Sequence, residues 1–446
     1  MKRRDFLSKT VAGSSLVLGG TSLLSGCTAA EKKISLKTNE ELNLPSSLDR
    51  APDGKALRFG LIGCGGRGTG AAMNLLEAGN DLSIVAIADL LPDRLDSCKK
   101  TLNEKGKQNI TDNNAFLGFD AYKKVLDSDI DAVIIALPSR FHPMMFDAAI
   151  QAEKHVFVEK PFAVDPVGVR KVMVAARQAD LKGLSVVCGT QRRHGKDYIE
   201  TYRRVASGLI GDIVGGACYW ATGRGWYTNR QPGWTDTEYV LRNWMNYPFM
   251  GGDGLIDCTI HNIDVISWFL GNKAPVCAMG FGAKIPPSFG TRYDFFAVDY
   301  EFDNDVHIGT YNRNIDKCSN KVREFVMGTK GKTNCVNTIW DHDGNVIWTY
   351  PFYKTKEKAT TSFNMDYYVQ EHIDWVTSIR TNKPLSKAHD MARSTLIAIM
   401  GRNSAYTGQT ITWEEIMAST QELGPDVTEM GKLDIPAEHP LPGMES

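Results

Sequence analysis

Asp257 and His261 stand four residues apart, a spacing that suits chemistry. On a helix two such side chains share one face, and an imidazole, with an unperturbed pKa of about 6.5, exchanges a proton near neutrality. Val265, Ile266, Phe269 and Leu270 supply the apolar side of that helix, and Gly271 ends it. Lys160 is a third candidate. It lies in Glu159-Lys160-Pro161, directly after the apolar run His155 to Val158, and open α/β sheets bind ligands outside the carboxyl ends of their strands. Imidazole, carboxylate and ammonium together can move a proton to or from a substrate oxygen and stabilise the charge that results. The other histidines show no H-x-x-x-H or H-E-x-x-H spacing, so no protein-built metal centre is expected.

These groups need a scaffold that brings strand ends together, and the chain supplies its signature. The strand-like run Ala56 to Ile62 leads into Gly63-Cys64-Gly65-Gly66-Arg67-Gly68, a G-x-G-x-x-G turn. Gly63 permits the tight turn, Gly65 lets a pyrophosphate approach the backbone, and Gly68 lets the following helix pack on the strand. That helix presents its N-terminus to the phosphates. A second strand, Leu82 to Ala88, ends in Asp89, 21 residues beyond Gly68, where a carboxylate binds both ribose hydroxyls and repels a 2'-phosphate. The expected cofactor is therefore NAD. Arg94 could accept a phosphate and keeps NADP open. Helix and strand then alternate through Ala132–Leu137 and His155–Val158, as in a doubly wound parallel sheet. The turn Leu137-Pro138-Ser139-Arg140-Phe141-His142 follows one strand end, so Leu137, Pro138 and His142 join Gly66, Arg67, Glu159 and Lys160 as expected cofactor contacts.

Between Tyr219 and Phe249 aromatic residues are dense, and among them Trp226, Tyr227 and Trp244 are expected to meet substrate. Sugar rings lay apolar C–H faces on aromatic planes while their hydroxyls need polar partners. Part of that density is ordinary packing. Gly189-Thr190-Gln191-Arg192-Arg193-His194 follows the strand Ser185 to Cys188, and Arg192 is the candidate substrate contact there.

The glycine turn, Ala136-Leu137-Pro138 with His142, Glu159-Lys160-Pro161, and Gly254-Leu255-Ile256-Asp257-x-x-x-His261-x-x-Asp264 together resemble the glucose-fructose oxidoreductase / inositol dehydrogenase / MocA family. The likeness runs from about Ala56 to Trp413, with one departure: the family's common Thr-Pro-Asn is Leu137-Pro138-Ser139 here. It implies an α/β protein, an N-terminal Rossmann domain followed by an α/β domain with an open, mostly antiparallel sheet that carries the substrate site and often an oligomer interface. In such an enzyme His261 would accept the hydroxyl proton of a sugar, Asp257 would orient the imidazole, and Lys160 would hydrogen-bond the reacting oxygen.

The whole chain has 51 Lys and Arg against 52 Asp and Glu, a net charge of −1, and 42% hydrophobic residues. That is an ordinary globular composition, without the concentrated positive charge that nucleic acid requires. The first residues differ. Lys2-Arg3-Arg4-Asp5-Phe6-Leu7-Ser8-Lys9, the apolar run Val11 to Leu24, and Leu24-Ser25-Gly26-Cys27 resemble a twin-arginine signal joined to a lipobox, so an exported periplasmic lipoprotein anchored through Cys27 is expected. The other eight cysteines have neither metal-site nor disulfide spacing. The resulting division is signal 1–26, flexible tether 27–55, Rossmann domain 56–185, substrate and oligomerisation domain 186–420, and tail 421–446.

The twin-arginine machinery carries folded proteins, commonly with a cofactor inside, and free NAD is not available outside the cytoplasm. The cofactor should therefore stay bound. Oxidation of a sugar or glycoside hydroxyl, C3 being favoured, is the leading expectation. The alternative is a redox-neutral glycoside hydrolase working through a 3-keto intermediate, and the third reading is a sugar-binding lipoprotein without catalysis.

Overall fold

Six strands begin the described chain, and all of them run parallel. The computed structural model describes residues 35–351 and 366–443, so the signal and the lipobox with Cys27 lie outside the described residues. In chain order the first elements are β1 (Leu57–Ile62), α1 (Gly66–Glu77), β2 (Leu82–Asp89), α2 (Pro92–Glu104), β3 (Ala115–Leu117), α3 (Ala121–Leu126), β4 (Ala132–Ile135), α4 (His142–Gln151), β5 (His155–Val158), α5 (Pro166–Leu181) and β6 (Val186–Cys188). The sheet order β3-β2-β1-β4-β5-β6 is doubly wound. Central strands of such a sheet are covered on both faces and read as continuous apolar runs, and all four residues of β4 are buried. Alternate side chains enter two cores. Phe59, Leu61, Ile134 and Phe157 pack with α1 and α2, whereas Ile62, Val133, Ile135 and Val156 pack with α3, α4 and α5.

The second sheet follows α6 (Lys196–Ala206). It contains β7 (Ile213–Thr222) and, after α7 (Asp236–Arg242), α8 (Pro248–Gly251), α9 (Gly254–Asp257) and α10 (Ile260–Phe269), the strands β8 (Cys277–Ala283), β9 (Phe295–Phe302), β10 (Val306–Asn314), β11 (Lys321–Gly328), β12 (Gly331–Thr333), β13 (Thr338–Asp341) and β14 (Val346–Thr349). The elements after these are α11 (Asp366–Arg380), α12 (Ala388–Thr407), β15 (Ile411–Thr412) and α13 (Trp413–Ala418). The order is β14-β13-β12-β11-β7-β10-β9-β8-β15, and only β10 with β7 pairs in parallel. The strands alternate as a one-sided sheet should. Cys218, Val298, Tyr300, Ile308 and Val326 are buried under α10 and α12, while Met279, Phe281, Tyr311 and Met327 face outward.

Three segments pack where their positions in the chain alone do not show it. Helix α11, assigned to the second domain by position, returns to the first: Ile373, Trp375 and Val376 complete the α1/α2 core, Trp375 packs on Phe59 at 5.3 Å, and Val186 N–H donates to Leu385 O at 2.7 Å. Without it the face over β5 and β6 would be bare. The segment from Leu36 to Lys55 is laid onto the protein rather than left loose, since Leu42 and Leu44 pack on the core, Ala51 is buried, and Lys387 Nζ reaches Asn43 O at 3.0 Å. The tail also packs. Leu423 N–H donates to Asp165 Oδ2 at 3.1 Å, Val427 is buried, and Tyr293 Oη donates to Pro440 O at 2.6 Å.

Candidate active site

The carboxyl ends of β1, β2, β4 and β5 open into a cleft of about 850 Å³, whose opposite wall comes from α7, α9, α10 and the loops beside them. Its floor is the glycine turn. Gly63 has φ +100°, and a Cβ there would lie 2.2 Å from Ala136 O; at Gly68 a Cβ would lie 1.9 Å from Gly63 O. Both glycines are thus required by backbone approach. Gly65 and Gly66 are different, because a Cβ at Gly66 meets nothing within 4 Å and at Gly65 only Arg94 Nη1 at 3.8 Å. Their backbone faces open cleft. This bare, curved backbone at the start of α1, with Asp89 beside it, fits a dinucleotide pyrophosphate and ribose.

Asp89 is held in place by the turn it serves. Its Oδ2 accepts from Cys64 N–H at 2.6 Å and its Oδ1 from Leu91 N–H at 2.8 Å. Burial raises its pKa, with those donors and Arg94 acting in the other direction. Each carboxylate oxygen retains a lone-pair direction for a hydroxyl. Arg94, Leu137 and Pro138 also line the cleft. Arg67 and Glu159 line it as a pair, Nε to Oε1 3.0 Å, with the Arg67 guanidinium 4.8 Å from the Tyr368 ring centre.

His142 does not line the cleft. It is fully buried behind it, where Nε2 accepts from Leu137 N–H at 3.4 Å and Nδ1–H donates to Pro161 O at 2.6 Å. Burial pushes its pKa down to about 4, which keeps the ring neutral and able to accept and donate at once. Its task is to clip the Leu137 turn to the Lys160-Pro161 turn, not to touch cofactor.

The chemical residues meet at the other end. Lys160 Nζ donates to Asp257 O at 2.7 Å and lies 3.7 Å from Asp257 Oδ1. Burial opposes the ammonium, but Asp257 and Glu159 outweigh it and raise its pKa. The single helix expected through Asp257 and His261 is broken at Cys258 and Thr259, giving α9 and α10. At the break Gly254 O accepts from Cys258 N–H at 3.1 Å, from Thr259 N–H at 3.2 Å and from Asn312 Nδ2 at 3.3 Å, and Asp257 O, the acceptor for the next helical turn, is bonded by Lys160 Nζ at 2.7 Å. Both residues still line the cleft. The Asp257 carboxylate meets Lys160 and Cys258, Sγ to Oδ2 3.6 Å, and not the imidazole. His261 instead stacks on Trp220, 5.9 Å between centroids and 26° between planes. Burial first, then the charges of Lys160, Arg192 and Arg67, hold its pKa well below the ordinary value.

Of the expected substrate residues, Trp226 and Trp244 line the cleft, edge to face at 5.7 Å. Tyr227 points elsewhere, stacked on Phe289 at 3.6 Å with its hydroxyl 3.0 Å from that of Tyr239. Arg192 is outside the lining as well, because it forms a buried ion pair with Glu324, which also accepts from Asn262 Nδ2 at 2.7 Å. Neighbouring Arg193 forks onto Asp264, Nε to Oδ2 2.7 Å and Nη2 to Oδ1 2.9 Å. Sequence reasoning missed Asp93, Ser97, Leu241 and Tyr368 in the lining. Asp93 also accepts both Arg242 Nη1 at 3.0 Å and Nη2 at 2.7 Å, which joins the two walls. Nothing in the local sequence around Tyr368 distinguishes it.

A family model described as oxidoreductase family, NAD-binding Rossmann fold, matches residues 57–188, and one described as GFO/IDH/MocA C-terminal domain matches residues 198–334. Among curated relatives, scyllo-inositol 2-dehydrogenase (NAD(+)) of Bacillus subtilis is 25% identical over 62% of this chain and 72% of its own length. Inositol 2-dehydrogenase of Rubrobacter xylanophilus is 30% identical over 49% of this chain, and the chain spans about half the length of that relative (53%). Scyllo-inositol dehydrogenase from Lactobacillus casei, solved with bound NAD(H) and scyllo-inositol, superposes with a TM-score of 0.60 at 21% identity, covering 80% of this chain and 99% of that one.

Proposed function

Because the chain belongs to the Gfo/Idh/MocA oxidoreductase family, whose first domain is an NAD-binding Rossmann fold, we propose that it oxidises a hydroxyl of a sugar or glycoside, favouring C3, and keeps its NAD through successive turnovers, the hydride passing on to a second carbonyl substrate or acceptor that restores the oxidised cofactor. One observation carries the reading: the Lys160, Asp257 and His261 cluster shares a single cleft with the open glycine turn and Asp89. Bound there, NAD supplies the acceptor for the hydride leaving the sugar carbon.

The rest falls to this chain. His261 is neutral at physiological pH and free to take the hydroxyl proton. Lys160 remains an ammonium and donates a hydrogen bond to the oxygen as charge builds on it. Asp257 aims Lys160 rather than the imidazole, and Trp220 backs the imidazole. Trp226 and Trp244, which line the cleft, supply aromatic surface for the sugar ring. Retention of the cofactor follows from the export and lipid-anchor reading of residues 1–27, which also places the enzyme in the periplasm. The outward apolar side chains of the second sheet support assembly of copies through that face.

The test uses the exported protein with no NAD added. Incubated with a glycoside, it should yield a keto sugar and reduced cofactor. Release of free sugar with no net reduction would favour the redox-neutral hydrolase, and neither product would leave only sugar binding. His261→Ala should lose turnover and retain nucleotide; full turnover would remove His261 from the mechanism.

A further inference from the structure

A second cavity of about 310 Å³ lies next to the cleft and shares Asp89, Leu90 and Leu137 with it. Its walls are largely apolar: Ile62, Leu90, Phe141, Met145 and Val427. If Asp89 holds the ribose of the adenosine half, the base attached to that ribose has this largely apolar cavity beside it, and a planar heteroaromatic ring needs apolar faces with few polar partners. Most of the cavity belongs to the first domain. Val427 and Thr428 do not; they come from the C-terminal segment.

That segment is fastened beside the cavity. Arg140 sits in the turn between Leu137 and Phe141, two residues that line the cavity, and its guanidinium donates to Leu423 O, reaches Asp426 Oδ1 at 3.1 Å and donates to Phe249 O at 3.4 Å. Leu423 N–H is anchored on Asp165 Oδ2 at 3.1 Å. Gly424, at φ +65°, packs so closely on Phe249 that a Cβ would lie 2.3 Å from its Cβ. Val427, near the end of the chain, is only 6% exposed.

We propose that Val427 and Thr428 are the outer wall of the adenine subsite and that Arg140 latches this wall through Leu423 and Asp426, so that the C-terminal segment slows the escape of the dinucleotide. The inference rests on the NAD reading above and assigns to the tail the retention that reading requires.

The experiment compares the full-length protein with Val427→Ala and Arg140→Met, each first shown to keep its circular dichroism and thermal midpoint. NADH release is followed by fluorescence after dilution into excess NAD. AMP and nicotinamide mononucleotide are then bound to the nucleotide-stripped protein. Both variants should release NADH about tenfold faster and bind AMP more weakly, while nicotinamide mononucleotide, which lacks the adenine, binds as before. Unchanged release, or equal weakening of the two mononucleotides, would overturn the proposal. A wild type that keeps no nucleotide through gel filtration would overturn the retention reading instead, and the mononucleotide comparison would still decide the wall.

Discussion

Replacing Arg193 by Met tests how the catalytic helix is held. Arg193 lies just before α6, and its fork onto Asp264 grips α10 three residues after His261. The guanidinium further donates to Asn272 Oδ1 at 3.0 Å and lies 3.5 Å from Asp390. Burial disfavours its charge, but Asp264 and then Asp390 hold the guanidinium more firmly protonated than usual. Asp264 is 2% exposed. In Arg193→Met it keeps the Ser394 hydroxyl as a donor at 2.9 Å and becomes a buried charge without its cation. Removing one partner of such a pair costs about 3–5 kcal/mol, a large share of a stability that is typically about 5–15 kcal/mol. Urea unfolding should show the loss as a lower midpoint. The double variant Arg193→Met/Asp264→Leu removes the stranded charge and should recover at least half. The folded fraction of Arg193→Met should lose kcat more than nucleotide affinity, because α10 carries His261 and the glycine turn is elsewhere. A single variant costing under about 1 kcal/mol, or a double variant no better than the single, would refute the argument.

Lys160→Met removes the largest charge effect holding down the His261 pKa, after burial itself. The base works when neutral, so wild-type kcat/KM should persist below pH 6.5 and fall only at the depressed folded value; in the variant the acid limb should move to higher pH, and an unmoved limb would break the link between the two residues. Asp89→Ala removes two acceptors from the ribose site and should weaken NAD binding by about 10- to 100-fold, given about 1.5–3 kcal/mol for a bond to a charged group, while improving NADP relative to NAD; unchanged preference measured by titration would discard the ribose contact. Gly68→Ala sets a methyl 1.9 Å from Gly63 O, so α1 must move away from β1. Purified protein should carry little nucleotide, and full occupancy by absorbance would contradict the cradle.

That the glycine turn, Asp89 and Lys160 would lie at one cleft was readable because each position is dictated locally: a backbone approach, a strand end, a fixed offset. The doubly wound sheet followed from the alternation of apolar runs for the same reason. His142, Arg192 and Tyr227 were misplaced because residue type does not show which way a side chain turns, and their partners, Pro161, Glu324 and Phe289, come together only in the folded chain. Asp257 and His261 share a cleft as expected, yet the i, i+4 helix geometry failed where Asp257 O, the acceptor for the next turn, is bonded by Lys160 Nζ from the turn after β5. Tyr368 carried no signal, since it lies on a helix whose destination depends on tertiary packing.

That helix has a consequence for synthesis. The strands around the glycine turn are complete by Cys188, but the core beneath them lacks Trp375, and β6 lacks its Leu385 neighbour, until the ribosome has passed both. At about 5–20 residues per second, this delay is on the order of 10–40 s. The cofactor-binding half therefore receives the last residues of its core well after its own six strands have been made.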